Sequence, residues 1–342
     1  MARRLLRVAA VLLVPALLAA ALAAAGARAG RPARTVAIFY YGWYGNPAHD
    51  GAYEWWTQNG HTPPTDIYSA YFPLRGVYSS SDPRVLAQQL AEIRAAGIDE
   101  VVVSWWGRGS STDERLPSLL AAAPRYGLTV AAHVEPYPGR TAGSVAGDVR
   151  YLAGLGIHDV YVYNAELIPA PQWAVARTLM PPVRLFAQTP HVGFASTAGF
   201  DGVYTYDIVG YPGGMFARYC DEAHRAGLLC APSVGPGYTA VKADGDVRVK
   251  PRRNGATYDS MWGAAIRARP DLVTVTSYNE WGEGTQIEPA TPVAGYESYE
   301  GAWGRHGAAA SRAYLARTAY WAARFRAGRW WPFQQYTPAS AP

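Results

Sequence analysis

At 342 residues the chain is 49% hydrophobic and 17% charged, which excludes a disordered tail or a charged solvating segment. Two cysteines exclude a disulfide scaffold and a Cys-rich zinc module. The formal charge of +5 would suit an anionic partner, and 12 Trp and 24 Tyr against 8 Phe give most rings a polar tip.

The first element is not fold. Arg3, Arg4 and Arg7 precede an apolar run from Leu5 to Ala25, and Ala27-Arg28-Ala29 is a small-x-small site. Residues 1–29 therefore read as a cleaved secretory signal peptide, and the protein as secreted. The rival reading is an uncleaved membrane anchor, because the run approaches spanning length. Removing four arginines from 31 basic residues leaves 27 against 26 acidic, a net of +1. Nucleic acid then loses its compositional support as a partner.

From Thr35 on, short β-branched or aromatic runs alternate with helical patterns. Strands are expected over Thr35–Tyr41, Glu100–Trp105, Thr129–Val134, Asp159–Tyr163, Val183–Gln188, Gly202–Tyr206, Leu228–Ser233 and Leu272–Tyr278. Between strands one and two lies an insertion, residues 42–81, rich in Trp, Tyr, Pro and His. Asp82-Pro83 then opens a helix as cap and first-turn proline, and Gly97 closes it. Residues 113–126, 144–155, 213–226, 257–268 and 308–327 carry similar helix signals. Eight strands joined by crossovers predict a single-domain (β/α)8 TIM barrel over residues 30–342. A doubly wound sheet would want a glycine-rich phosphate loop after its first strand, and Tyr41-Gly42-Trp43-Tyr44-Gly45 is not one.

Barrel chemistry gathers at the C-terminal ends of strands. Those ends carry Tyr41, then Trp105 and Trp106, Glu135 and Tyr137, Tyr204 and Tyr206, Tyr238, and finally Asn279, Glu280, Trp281 and Glu283. Rings that stack on sugar faces and carboxylates that bind hydroxyls thus share one rim. Glycoside hydrolysis needs two carboxyls near the scissile bond, and Glu280 and Glu283 stand three apart in a Gly-flanked turn. Glu135 is a third candidate, with an ion pair to Arg140 as its structural alternative, and Glu288 reads as a supporting acid. The seven histidines show no HxH or HExxH spacing, so no metal and no cofactor is expected, and His133 reads as a satisfied barrel histidine. No GxSxG elbow or Walker loop occurs. Arg248, Lys250, Arg252 and Arg253 read as a solvated loop. Cys220 and Cys230 either pair or remain buried thiols.

Together, Tyr40-Tyr41-Gly42-Trp43-Tyr44-Gly45, Ser104-Trp105-Trp106-Gly107, Glu135-Pro136-Tyr137-Pro138-Gly139-Arg140, Tyr204-Thr205-Tyr206, Pro236-Gly237-Tyr238 and the run Thr276 to Pro289 resemble glycoside hydrolase family 99. This is the family of endo-α-1,2-mannosidases and endo-α-1,2-mannanases. The resemblance implies a retaining, metal-independent endo-glycosidase acting on α-mannan or a mannose-containing glycan; separately, a monomer is expected. It also implies that Glu280 takes the proton of the sugar's own 2-hydroxyl, whose oxygen attacks the anomeric carbon to form a 1,2-anhydro sugar. Glu283 is then the general acid, and afterwards the base for the water that opens the epoxide. Sugar-binding roles are implied for Trp105 or Trp106, Glu135, Tyr206, Tyr238 and Asn279. The chain departs from the family at Gly282, where His is common, at Tyr53-Glu54-Trp55-Trp56, where Tyr-x-His-Trp is usual, and over residues 239–253, which lack Trp. Those positions are expected to line substrate subsites. Two other readings stay open on the residues: a glycan-binding protein on a disabled barrel, and Glu135 as an ordinary nucleophile.

Overall fold

The computed structural model describes residues 34–328. The leader expected over residues 1–29 lies outside them. Eleven strands are present among the described residues: β1 (Thr35–Tyr40), β2 (Glu100–Trp105), β3 (Thr129–Val134), β4 (Asp159–Val162), β5 (Arg184–Gln188), β6 (Gly202–Tyr204), β7 (Leu229–Ala231), β8 (Ser233–Val234), β9 (Tyr238–Ala240), β10 (Asp246–Lys250) and β11 (Leu272–Val275). The main sheet runs β7-β6-β5-β4-β3-β2-β1-β11-β8, and its strand pairs are parallel.

The two sheet edges are two halves of one strand. Pro232 alone separates β7 from β8, and it has no amide hydrogen to give to a ladder. The first half pairs with β6 and the second with β11. The amide of Asp271 meets the Cys230 carbonyl at 3.1 Å and that of Thr274 meets Pro232 at 3.2 Å, which carries the closure across the break. Counted this way the sheet is the expected eight-stranded barrel. All eight predicted strands form, but several end one to three residues early. The residues cut off are those that turn outward to build the rim.

The expected helices form as Pro83–Ala95, Ser111–Ala122, Ala142–Gly154, Phe216–Arg225, Ala256–Arg267 and Ala313–Ala327. Asp82 caps the first through its side chain, which accepts from the Arg84 amide at 2.8 Å. Two shorter helices, Ala170–Arg177 and Val192–Ala198, supply the crossovers after β4 and β5. The barrel interior is aromatic: Phe39, Tyr161, Tyr204 and His133 pack ring against ring at 4.7–6.0 Å. Cys220 and Cys230 form a disulfide that ties the helix Phe216–Arg225 to β7. Among the described residues no helix is long and apolar enough to cross a membrane.

Candidate active site

The last strand delivers the carboxyl pair. After β11 the chain passes Thr276 and Ser277 and enters the loop Asn279 to Gly284. Four buried groups hold that loop. The Asn279 side chain bonds both ways to the Tyr41 backbone, accepting from its amide and donating to its carbonyl at 2.8 Å each. The Tyr44 hydroxyl donates to the Asn279 carbonyl at 2.8 Å. Trp281 donates its Nε1 hydrogen to Glu288 Oε2 at 2.9 Å. Glu288 itself is wholly buried and also accepts from Arg75, Tyr78 and Gln89 at 2.7–2.9 Å. A carboxyl so saturated supports its neighbours and has no lone pair directed at a ligand. Burial nevertheless pushes its proton affinity up, against the pull of Arg75.

The insertion 42–81 closes over this loop. Trp56 donates to the Tyr78 carbonyl at 2.9 Å, and Tyr68 reaches Glu280 Oε1 at 3.4 Å. Glu280 is buried, and its Oε1 also accepts from the Gly282 amide at 3.1 Å. Burial is the first cause that raises its proton affinity well above the ordinary carboxyl range, and the Glu283 charge is the second. Glu283 is less enclosed. Its pKa is pushed up to about 8, first by burial, while a 3.2 Å hydrogen bond from Tyr206 pulls the other way. Two carboxyls raised together keep at least one proton between them at neutral pH, which is what an acid–base pair requires.

Tyr206 is held in an unusual backbone state, with φ of 49°. For a bulky residue that conformation is strained, and the surroundings must impose it. Its amide donates to Ser233 Oγ at 2.7 Å and its carbonyl accepts from Thr276 Oγ1 at 3.1 Å. The ring then stacks on His133, and its hydroxyl bonds both Glu283 and the Tyr41 hydroxyl. Burial keeps the Tyr206 phenol neutral far above its ordinary range, so it remains a donor toward Glu283. A cleft of about 40 Å³ opens beside this group between Tyr163, Tyr206, Asp207, Tyr238 and Glu283.

Glu135 continues β3 past its end, with its amide on the Trp105 carbonyl at 3.0 Å. Ser104 Oγ donates to its Oε1 at 2.7 Å. His133 Nδ1 approaches the same oxygen at 3.0 Å without hydrogen-bond alignment, while its Nε2 meets the Tyr204 hydroxyl at 2.8 Å. The ion pair between Glu135 and Arg140 does not form. Arg140 instead donates to the carbonyls of Val134, Tyr163 and Asn164 at 2.7–3.2 Å, clamping the loops after β3 and β4.

The other rim residues divide by exposure. Trp106 and Tyr137 are half-buried, whereas Tyr41 and Tyr238 keep only a thin exposed edge. Trp105, Tyr204, Asn279 and Trp281 have no exposed surface. Trp105 donates to Asp113 at 2.8 Å, and Tyr204 lies inside the barrel on His133. Tyr68, Tyr44 and Asp207 were not singled out from the sequence. The first two stand in the insertion expected to cover this face, which was the available signal.

Two expectations about the loop after Tyr238 are corrected. Residues 238–250 form the antiparallel hairpin β9–β10, in which Tyr238 donates to Asp246 at 2.8 Å. Arg252 is not solvated. It is buried with its guanidinium 4.6–4.7 Å from the rings of Tyr71, Tyr299 and Tyr314, and it donates to the carbonyls of Gly284 and Gln286 at 2.9 and 2.7 Å. It braces the loop that carries Glu280 and Glu283 from behind. A cavity of about 290 Å³ lies alongside it, lined by Lys250, Arg253 and Glu297 but by neither Glu280 nor Glu283. Size alone would choose that cavity, but Glu283 lines the smaller cleft. Among the described residues no group of His, Cys, Asp and Glu is placed to hold a metal.

A (β/α)8 barrel with paired, proton-retaining carboxyls among rings at its C-terminal rim defines a class, the glycoside hydrolases. The particular family follows from comparison with known proteins. The sequence pattern of glycosyl hydrolase family 99 matches residues 33–175 and 182–327, and the chain belongs to that family. It is 33% identical to a glycoprotein endo-alpha-1,2-mannosidase-like protein of Danio rerio, over 75% of this chain and 71% of that one. It is 31% identical to the glycoprotein endo-alpha-1,2-mannosidase of Mus musculus, over 74% of this chain and 67% of that one. The GH99 endo-alpha-mannosidase of Bacteroides thetaiotaomicron superimposes with a TM-score of 0.77 at 28% identity, covering 86% of this chain and 98% of that one.

Proposed function

We propose that the protein is an exported, retaining, endo-acting glycoside hydrolase that cleaves internal α-mannosidic bonds in an α-1,2-branched mannan or mannoside. The observation that carries this reading is the pairing of Glu280 and Glu283 on one short loop, one deeply buried and the other on the cleft with Tyr206. The names of the relatives support mannose as the sugar, and the leader-like residues 1–29 support export.

The chemistry runs from the form of the pair in which Glu283 is protonated and Glu280 ionised, although burial favours the proton on Glu280. Glu280 removes the proton from the sugar's 2-hydroxyl, and that oxygen forms a bond to the anomeric carbon. The bond to the leaving oxygen breaks, and Glu283 gives that oxygen its proton. The products are a 1,2-anhydro sugar, a protonated Glu280 and an ionised Glu283. Glu283 then draws a proton from water, the water oxygen adds to the anomeric carbon as the bond from that carbon to O2 breaks, and Glu280 returns its proton to O2. Both inversions leave the configuration retained. In mannose the axial 2-hydroxyl lies opposite an α leaving group, so the internal attack is geometrically open. Tyr206 and Tyr238, with edges on the cleft, take sugar contacts, and Glu135, Trp106 and Tyr137 extend the rim. Trp105, Asn279, Trp281 and Tyr204 hold those groups in place.

The test is product analysis on defined α-1,2-linked mannose oligomers. Internal cleavage with retained configuration is expected, and substrates lacking the 2-hydroxyl should be inert. An inert wild-type protein across a broad α-mannan panel sinks the substrate claim. Rapid hydrolysis of 2-deoxy substrates sinks the anhydro route.

A further inference from the structure

Gly282 sits between the two catalytic carboxyls in sequence, and it is buried. Its lack of a side chain is a spatial requirement. A Cβ built there would stand 2.4 Å from Cε2 and 3.1 Å from Cζ of Tyr68, and 3.2 Å from Glu280 Oε1. Real carbon atoms do not approach so closely, and the Tyr68 ring has little freedom to retreat. Its backbone amide donates to the Trp56 carbonyl at 3.3 Å, and the Trp56 ring meets it edge-on at 6.3 Å. The ring therefore occupies the volume that any side chain at position 282 would need.

We infer that Tyr68 is the positioning residue of Glu280, and that Gly282 is present to admit its ring. This inference rests on the base role proposed above for Glu280. The Tyr68 hydroxyl has one proton and two acceptors in reach, Glu280 Oε1 at 3.4 Å and the Tyr44 hydroxyl at 3.0 Å. Tyr44 donates its own proton to the Asn279 carbonyl, so toward Tyr68 it can only accept. The Tyr68 proton then follows the charge on Glu280. When Glu280 is ionised, the bond to the carboxylate is charge-assisted and wins despite its length. Catalytic hydrogen bonds are commonly long before substrate closes the site. When Glu280 has taken the sugar's proton, the Tyr68 hydroxyl turns to Tyr44. The donor thus serves the base in the state that must react and releases it once the proton has moved. The Gly282 amide stays fixed on the same oxygen throughout.

The titratable groups bearing on Glu280 are the carboxyls of Glu283 and Glu135 and the phenols of Tyr41, Tyr44, Tyr68 and Tyr206. The phenols are held neutral by burial, so the variable charge near Glu280 is carboxylate. Tyr68 is the side-chain donor that opposes it. Removing that donor must raise the proton affinity of Glu280.

Three comparisons test the inference. In Tyr68→Phe, which keeps the ring, kcat should fall about tenfold with KM within twofold, the loss expected for one hydrogen bond to a charged group. The acid limb of its kcat/KM profile should move to higher pH. With carboxyl-¹³C glutamate, the Glu280 signal (assigned by its loss in Glu280→Gln) should titrate at higher pH in Tyr68→Phe than in the wild type. An unchanged titration overturns the inference. This readout needs no turnover, so it stands apart from any failure of the proposed substrate. The third comparison is a cycle of Gly282→Ala, Tyr68→Ala and the double variant. Gly282→Ala alone should lower Tm, and adding Tyr68→Ala should recover much of that loss. Additive losses would mean that the two positions do not share a volume.

Discussion

Glu100 and Asp159 open β2 and β4 at the N-terminal end of the barrel, whereas Glu280 and Glu283 follow β11 at the opposite end. In each pair at least one carboxyl is driven toward its neutral form by burial and by its companion's charge. The surroundings differ. At the N-terminal end Arg184 forks onto Asp159 with both arms, and Tyr161 donates to Glu100 at 3.2 Å. Neither Glu100 nor Asp159 lines the cleft or the cavity described above. At the C-terminal end no guanidinium among the described residues bonds either carboxyl, and Glu283 lines the cleft with Tyr206 and Tyr238. A raised proton affinity therefore identifies burial. Function requires in addition that the proton have somewhere to go.

Replacing the base should separate the two ends most sharply. Glu280→Gln should lower kcat/KM by about 10³–10⁴ with Tm little changed, because burial already favours the neutral form of Glu280 and the amide is neutral too. Retention of more than a tenth of the activity would break the comparison. Glu283→Gln should lose about 10²–10³ on substrates with poor leaving groups and much less on activated aryl mannosides, which need no acid. In the wild type, activity should fall above about pH 8 as Glu283 loses its proton, and that limb should vanish in the variant. The same carboxyl makes a stability statement. Its folded pKa lies above its unfolded value of 4.5, so its contribution is fully present below pH 4.5 and is lost as pH rises through about 8. Denaturant titrations should show a flatter pH dependence in Glu283→Gln across that window.

Smaller effects belong to the N-terminal end. Arg184→Leu leaves Asp159 and Glu100 without their cation, and the half-exposed guanidinium implies a loss of roughly 1–2 kcal/mol. Denaturant midpoints measure it, and kcat should not move. Glu100→Gln replaces an acid already held neutral and should keep activity within about twofold on the same substrates. A large loss of kcat there would show that the two ends communicate, and would blur the distinction drawn here.

The barrel was legible because its strands are written as continuous apolar runs that stop at polar or aromatic rims. The candidate carboxyl pair was legible because Glu280 and Glu283 lie in one short segment. What was missed has a different physical origin. The helix Ala170–Arg177 buries only Trp173 and Ala176, too few positions to show a helical period. The strand Asp246-Val247-Arg248-Val249-Lys250 does alternate, but its valines face solvent, so no core requirement announces it. Arg252 reads as one more charge in a basic run, and it is buried only because Tyr71, Tyr299 and Tyr314 arrive from distant segments. Tyr68 and Gly282 are 214 positions apart, and nothing local to either shows that one fills the space left by the other.

The two-way bond between Tyr41 and Asn279 spans 238 positions of sequence, from the first strand to the loop after the last. Closure by such a remote contact fixes the order of events during synthesis. The segment that will hold the loop is made first and waits, its tyrosines unpartnered, for nearly the whole chain. Contacts of this range slow folding, because chain entropy is lost before they repay it. Activity must therefore appear late and all at once, and a nascent chain stopped before residue 279 is a barrel without a catalyst. A glycoside hydrolase built this way remains inert for as long as it is incomplete.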